Sequence, residues 1–289
     1  MQKYIEQFLE MMSIRGLAAN TLKFYMSAIK SYLGYFEAAH KLPEDVIWAD
    51  MRAYISFIQK SRDLSDRTIN AHISIIRFFT EYVLHKAWDC YQLPFRKFDT
   101  YLPTIPSQDE AQHFIDTIPN LKHKAVVAVM YSSGLRVSEV CALKYKDVSR
   151  KDMKIYIERS KNRSDRYTIL SEKALDILTQ YWYKYGRPRD WLFPSPQNNG
   201  ERPIVTYTVN CIVNDHIDRL GWSQDLTCHS FRHGFGTHLY ENGVDLLTIQ
   251  RLMGHKSIAS TTIYVHLSSF RNSLVKSPFD KPTNSRCRP

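Results

Sequence analysis

The sequence predicts a mainly α-helical protein of two domains, with a small β-hairpin sheet in the second. Three observations carry that prediction. Apolar residues recur at helical three-and-four spacing in four stretches of residues 1–87, the periodicity fails across 88–105, and strand-like alternation appears within 153–170. The chain has 289 residues, 44% of them hydrophobic, which suffices for one large or two ordinary domains with apolar cores.

Taken in order, Tyr4, Ile5, Phe8, Leu9 and Met12 form a first stripe. After Gly16, with a cap at Asn20, Leu22, Tyr25, Met26, Ile29, Leu33 and Phe36 form the second. Asp50 precedes a third (Met51, Tyr54, Ile55, Ile58) and Ser65 a fourth (Ile69, Ile73, Ile76, Phe79, Val83). Four amphipathic helices of this length close a small bundle, so residues 1–87 are assigned to an N-terminal helical domain. Pro94, Pro103 and Pro106 mark a linker over 88–105.

The second domain, 106–276, opens with Ser107 and Glu110 as a capping box, followed by a helix through Phe114 and Ile115 and another over Lys124–Tyr131. Gly134 makes a turn before a short helix that starts at Arg136 and runs through Val140 and Leu143. Residues 153–158 and 166–170 alternate as the strands of a hairpin, with Lys161 in its turn. Helices resume at Glu172–Tyr185, at Thr206–Arg219 and from His229, and Asp245 caps another that Gly254 stops. Residues 277–289, with three prolines, read as a mobile basic tail.

Composition narrows the function classes. No segment approaches the ~18 uninterrupted apolar residues of a membrane span, and the first residues lack the apolar run of a secretory signal, which predicts a cytoplasmic protein with no membrane partner. Five cysteines without a Cys-x-x-Cys pair indicate neither a disulfide framework nor a zinc ribbon, and are expected to be reduced and mostly buried. A net charge of +10 points towards a polyanionic partner such as nucleic acid, although a basic protein can also be simply soluble or bind anionic lipid. Residues 1–86 hold 11 Lys/Arg against 9 Asp/Glu and the remainder 28 against 20, so the excess lies in the second domain. A basic run from Lys144 to Arg166, interleaved with Tyr145, Tyr156 and the adjoining Tyr167, reads either as a nucleic-acid surface or as a solvated hairpin.

A phosphodiester carries a full negative charge, and substitution at its phosphorus adds more to the non-bridging oxygens. Two guanidiniums clamp such oxygens with several donors each and stay protonated at neutral pH, which makes Arg136 and Arg232 a natural pair. Glu139, three residues after Arg136, shares its helical face and braces it; His229 shares the face of Arg232. His229 and His233 also stand at the spacing of a zinc pair. The run His-Ser-Phe-Arg-His lacks the glutamate of the zinc-protease motif and sets a cation between the ligands, so no metal is expected. His255, directly after Gly254, reads as a helix C-cap or as a site residue. Tyr264 reads as a core tyrosine in Ile263-Tyr264-Val265, or as a nucleophile whose phenol, with an ordinary pKa of ~10, needs positive charge or a base beside it. An alkoxide oxygen departing from such a phosphorus benefits from a proton, which Lys161 is placed to give; Arg163 holds its own proton too tightly.

The stretches Ser133-Gly134-Leu135-Arg136-Val137-Ser138-Glu139, His229-Ser230-Phe231-Arg232-His233, Leu252-Met253-Gly254-His255 and Ser260-Thr261-Thr262-Ile263-Tyr264 resemble, in order and spacing, the tyrosine recombinase (phage integrase) family, of the integrase or Xer-like kind. The resemblance implies a C-shaped DNA clamp in which a SAM-like core-binding domain faces a catalytic domain. It implies Arg136 and Arg232 on the phosphate, Lys161 as general acid, His229 and His255 as acid/base or hydrogen-bonding partners, Glu139 in support and Tyr264 as nucleophile. A 3′-phosphotyrosine, a free 5′-hydroxyl and strand exchange by a tetramer on two duplexes, with no cofactor, belong to the same implication. So does a helix through Leu267, Phe270 and Leu274 that docks on a neighbouring subunit.

Departures are few. Ser160 and Asn162 bracket Lys161 where the family usually has glycines, and Gly234 and Gly236 stand where threonine and alanine are commoner. At ~1 kcal/mol per glycine against alanine, the second departure implies a softer helix or one that approaches DNA closely. The lack of an arm-site domain favours a simple integrase, a transposon enzyme or an Xer-like recombinase. Two rivals remain open: a type IB topoisomerase, which relaxes supercoils without recombinant products, and a non-catalytic DNA-binding regulator, for which Tyr264→Phe leaves every activity intact.

Overall fold

The apolar stripes of the first hundred residues become four helices around one core. The structure is a computed structural model that describes residues 1–99, 101–158, 165–222 and 225–268, with backbone alone at 198 and 199. The chain divides into two compact units, Met1–Thr100 and Tyr101–Pro289. In the first, α1 (Gln2–Ile14), α2 (Ala19–Ala38), α3 (Trp48–Arg62) and α4 (Asp66–Tyr82) bury Phe8, Met12, Ile29, Leu33, Tyr54, Ile58, Ile73 and Phe79 together. Each such side chain contributes about 1.5–3 kcal/mol when fully buried.

Two helix starts differ from expectation. Helix α2 begins at Ala19, so Asn20 lies inside its first turn and caps nothing. Helix α3 begins at Trp48, and Asp50 reaches back from its first turn to accept the Ile47 N–H at 2.9 Å. Ser65 does cap α4, accepting from the Thr68 N–H. After α4 the chain stays pinned to it: the Arg96 N–H donates to Asn70 Oδ1 (2.8 Å), Asn70 Nδ2 to the Arg96 carbonyl (2.9 Å), and the Arg96 guanidinium pairs with Asp66 (2.7 Å).

The second unit is built on α6 (Leu121–Ser132), whose residues 125–130 are all buried. A helix apolar on every side belongs at the centre of a unit. Helices α5 (Gln108–Thr117), α8 (Glu172–Lys184), α9 (Thr206–Leu220) and α10 (Cys228–Glu241) pack against it, and the short α7 (Val137–Cys141) follows it. The capping box at the head of α5 forms as expected, Ser107 and Glu110 each satisfying the other's N–H.

The hairpin strands β2 (Lys154–Ile157) and β3 (Arg166–Ile169) are joined by a third, β1 (Val148–Ser149), in an antiparallel order β1-β2-β3 with Ile155 opposite Thr168. Strand β3 turns its polar residues inward: Thr168 is buried and donates to the Ser133 carbonyl at 2.8 Å, while Tyr167 and Ile169 are exposed. Helices α11 (Leu246–Met253) and α12 (Ile263–Leu267) complete the order. Lys161, Arg163, Phe270, Leu274 and the tail 277–289 lie outside the described residues.

The four cysteines among the described residues are less buried than expected. Cys141 and Cys228 are buried, but Cys211 is half-buried and Cys90, in the irregular stretch after α4, is exposed. No helix among the described residues is long and apolar enough to cross a membrane.

Candidate active site

Four elements bring the predicted side chains together: the turn into α7, helix α10, the end of α11 and helix α12. Gly134, at φ +61°, makes the left-handed turn that a side chain would block, because a Cβ there would run into the Phe235 ring. The turn delivers Arg136 to the N-cap of α7. One turn later Glu139 is buried, and its carboxylate accepts from the Arg136 N–H (2.9 Å) and Arg136 Nη1 (2.7 Å).

Arg166 holds the same carboxylate in a fork, Nη1 to Oε1 at 2.8 Å and Nη2 to Oε2 at 2.7 Å. Arg232 Nη1 stands 3.7 Å from Oε2. Burial pushes the Glu139 pKa up, but the hydrogen bonds and charge of Arg166, then those of Arg136, outweigh it and hold it at about 2. Three guanidiniums and one carboxylate leave a formal charge of +2.

Arg232 is buried on α10 and donates to the Gly134 carbonyl through Nη1, to the Met253 carbonyl at 2.6 Å and to His255 Nε2 at 3.2 Å. Burial lowers its pKa to about 10, so it stays protonated at neutral pH. An arginine can only donate, which fixes the His255 tautomer. Nε2 accepts, and Nδ1 carries the proton and donates to Thr261 Oγ1 at 3.0 Å. Burial, then the charges of Arg232 and Arg136, lowers the His255 pKa to about 4, in keeping with a neutral ring. Gly254, at φ +64°, ends α11 and sets this ring beside the Arg232 guanidinium.

Tyr264 has 0% exposure and packs with Phe235, Ile249 and Met253, its ring stacked on His255 with centroids 6.1 Å apart. The core reading of this residue holds, and the ring also lies within the electrostatic reach of the Arg232 and Arg136 guanidiniums. Burial outweighs the opposing pull of Arg232 and then Arg136 and leaves its pKa raised to about 12. Its hydroxyl has no hydrogen-bond partner among the described residues.

His229, on the first turn of α10, is exposed. Its ring lies 6.2 Å from that of His233, which in turn lies 6.1 Å from Tyr264. The His233 pKa falls to about 4, through burial first and then the neighbouring His229 and Arg232. The structure thus brings Arg136, Glu139, Arg232, His255 and Tyr264 into one cluster, with His229 at its edge.

Sequence reasoning missed Arg166, Thr261 and the use of Gly236. Arg166 was one of several basic residues expected on a surface, yet only 7% of its side chain is exposed. Gly236 was expected to soften α10 or admit DNA; instead a Cβ there would stand 2.5 Å from Tyr264 Cζ, so the missing side chain makes room for the tyrosine ring. Gly234 meets only ordinary contacts, the nearest at 3.5 Å from His238.

Residues 107–270 match the phage integrase family, and residues 4–90 match the N-terminal SAM-like domain of phage integrases. A protein of Sinorhizobium fredii described as an integrase/recombinase is 35% identical over 94% of this chain and 86% of its own length. A tyrosine recombinase XerC of Staphylococcus epidermidis is 27% identical over 93% of this chain and 94% of its own. Among solved structures, the fold is similar to that of a XerH site-specific recombinase bound to a palindromic difH substrate, with a TM-score of 0.73 and 19% identity over 92% of this chain and 82% of that one. It is equally similar to the Tn1549 transposon integrase in complex with circular intermediate DNA, with a TM-score of 0.74 and 18% identity over 94% of this chain and 99% of that one.

Proposed function

The chain belongs to the phage integrase family and is a tyrosine-type site-specific DNA recombinase, and from that premise we propose how its residues divide the reaction. Tyr264 Oη attacks a backbone phosphorus, the bond to the 5′-oxygen breaks, and a 3′-phosphotyrosine remains with a free 5′-hydroxyl. That hydroxyl then attacks the phosphotyrosine of a partner strand and releases the enzyme. The bond count is conserved throughout, so the exchange needs no outside energy source.

Arg136 and Arg232 bind the non-bridging oxygens, with Glu139 fixing both. The observation that carries this reading is a single carboxylate beside two guanidiniums that are 96 positions apart in the chain: Arg136 at 2.7 Å and Arg232 at 3.7 Å from Glu139. His255, neutral and accepting from Arg232, orients that guanidinium and stacks on the nucleophile. His229 takes part in moving the Tyr264 proton, and Lys161 protonates the departing 5′-oxygen.

DNA is the partner, as it is in the XerH and Tn1549 complexes that share this fold. We further propose that residues 1–87 form a core-binding domain and 106–276 the catalytic domain, with 88–105 joining them. The active assembly is a tetramer on two duplexes, working in the cytoplasm on a mobile element or a chromosomal site.

The test uses nicked duplexes bearing core sites selected by binding from a random-sequence library. With the nick just 3′ of the scissile phosphate, cleavage frees the short fragment that bears the 5′-hydroxyl, and its loss traps the protein on the DNA. The expected result is a covalent complex that persists in a metal chelator and is lost in Tyr264→Phe. A complex that survives this substitution, or that forms only with added divalent metal, overturns the mechanism.

A further inference from the structure

Glu139 is contested by three cations, and they do not hold it equally. Arg166 spends both ends of its fork on the carboxylate, at 2.8 and 2.7 Å, and its Nε donates to the Leu252 carbonyl at 2.8 Å. Its stem lies against Gly254, where a Cβ would come within 2.8 Å of Cδ. Arg136 reaches Oε1 through one nitrogen, and Arg232 stays 3.7 Å away. A carboxylate and a phosphate compete for the same face of a guanidinium, because both offer a pair of oxygens to its parallel N–H groups.

We propose that Arg166 is a positioning residue for strand cleavage: by engaging Glu139 in a fork, it keeps that carboxylate from closing onto Arg232 and leaves the clamp its positive charge. The proposal rests on Arg136 and Arg232 being the phosphate clamp. Charge decides the consequence. The cluster of Arg136, Arg166, Arg232 and Glu139 carries +2, matched to a five-coordinate phosphorus that gathers more negative charge than the phosphodiester it comes from. Without Arg166 the cluster falls to +1, and Glu139 is released to pair with Arg232. Without both Arg166 and Glu139 it returns to +2.

The experiment measures the rate of covalent complex formation on a nicked duplex for the unsubstituted chain, R166Q, E139Q and R166Q/E139Q, with DNA affinity followed separately by gel shift. R166Q is expected to slow the covalent step by about 10–100-fold, the usual range when a residue that orients site groups is lost, while DNA affinity changes far less. The double variant is expected to be faster than R166Q. A role confined to holding the fold together is distinguished by melting temperature: it slows each variant only where that variant is partly unfolded, whereas the positioning role slows R166Q at temperatures where it is fully folded. R166Q as fast as the unsubstituted chain, or a double variant no faster than R166Q, overturns the proposal. If R166Q does not fold, R166M, which keeps the stem packed on Gly254, takes its place with the same two expectations. Failure of the unsubstituted chain to form any covalent complex instead overturns the chemistry assigned to Tyr264, and this proposal with it.

Discussion

At Gly236 one absent methyl group decides where the proposed nucleophile can lie. Alanine there would place Cβ within 2.5–2.8 Å of three Tyr264 ring atoms, so the ring must shift. Overpacking of this kind costs about 1–3 kcal/mol, against about 1 kcal/mol returned by alanine's better helix propensity. Gly236→Ala is therefore expected to lower the urea midpoint, by up to about 2 kcal/mol in stability. Gly234→Ala, two residues earlier with its nearest contact at 3.5 Å, is expected to be neutral or to gain up to about 1 kcal/mol. Equal effects of the two substitutions would contradict the packing described here. The buried histidines add a pH dependence. His233 and His255 titrate at about 4 in the fold, below the ordinary ~6.5, and His72, His123, His216 and His238 are lowered as well. The unfolded chain takes up protons first as pH drops, so this stability is complete above about 6.5 and is lost as pH falls towards about 4. Melting temperatures across that range should fall with acidity, and a flat profile would count against burial of these rings.

Among the elements, β3 shows where the sequence was legible and where it was not. Its alternation identified a strand, but Tyr167 and Ile169 are the apolar residues of that alternation and they face out, while Arg166 and Thr168 face in. A rule that sends apolar residues inward therefore selects the wrong face, and Arg166 was read with the surface cations. The inward face becomes intelligible only from its partners, the Glu139 carboxylate and the Ser133 carbonyl, which lie 27 and 35 positions away in the chain. Local signals fared better. Ser65, Ser107 and Asp245 cap α4, α5 and α11 because each needs only an N–H three residues on. The motif residues were legible for the same reason, since Gly134 and Gly254 mark left-handed turns that place Arg136 and His255. A core position for Tyr264 was legible in Ile263-Tyr264-Val265, but the room for its ring was not, because that depends on Gly236 in a different helix. Thr168→Val tests the inward face of β3. Loss of the bond to the Ser133 carbonyl is expected to destabilise by about 1–3 kcal/mol in denaturant titration, because a buried acceptor loses its donor.

For the whole molecule, each unit has an apolar core of its own, one centred on Phe8, Tyr54 and Phe79 and the other on α6. A polypeptide of residues 1–99 is accordingly expected to fold alone, with a helical circular dichroism spectrum and a cooperative melt. A non-cooperative melt would show that the first core depends on the second unit. The chemistry assigned to the second unit converges on one atom, the Tyr264 Oη. Trypsin cutting after Lys256 and Arg271 releases a peptide in which Tyr264 is the sole tyrosine, so the attachment point can be read directly by mass spectrometry of the trapped and digested complex. The account predicts that the DNA 3′-phosphate is carried on Tyr264 of this peptide; a phosphate found on another peptide, or on one of its serines or threonines, would contradict it.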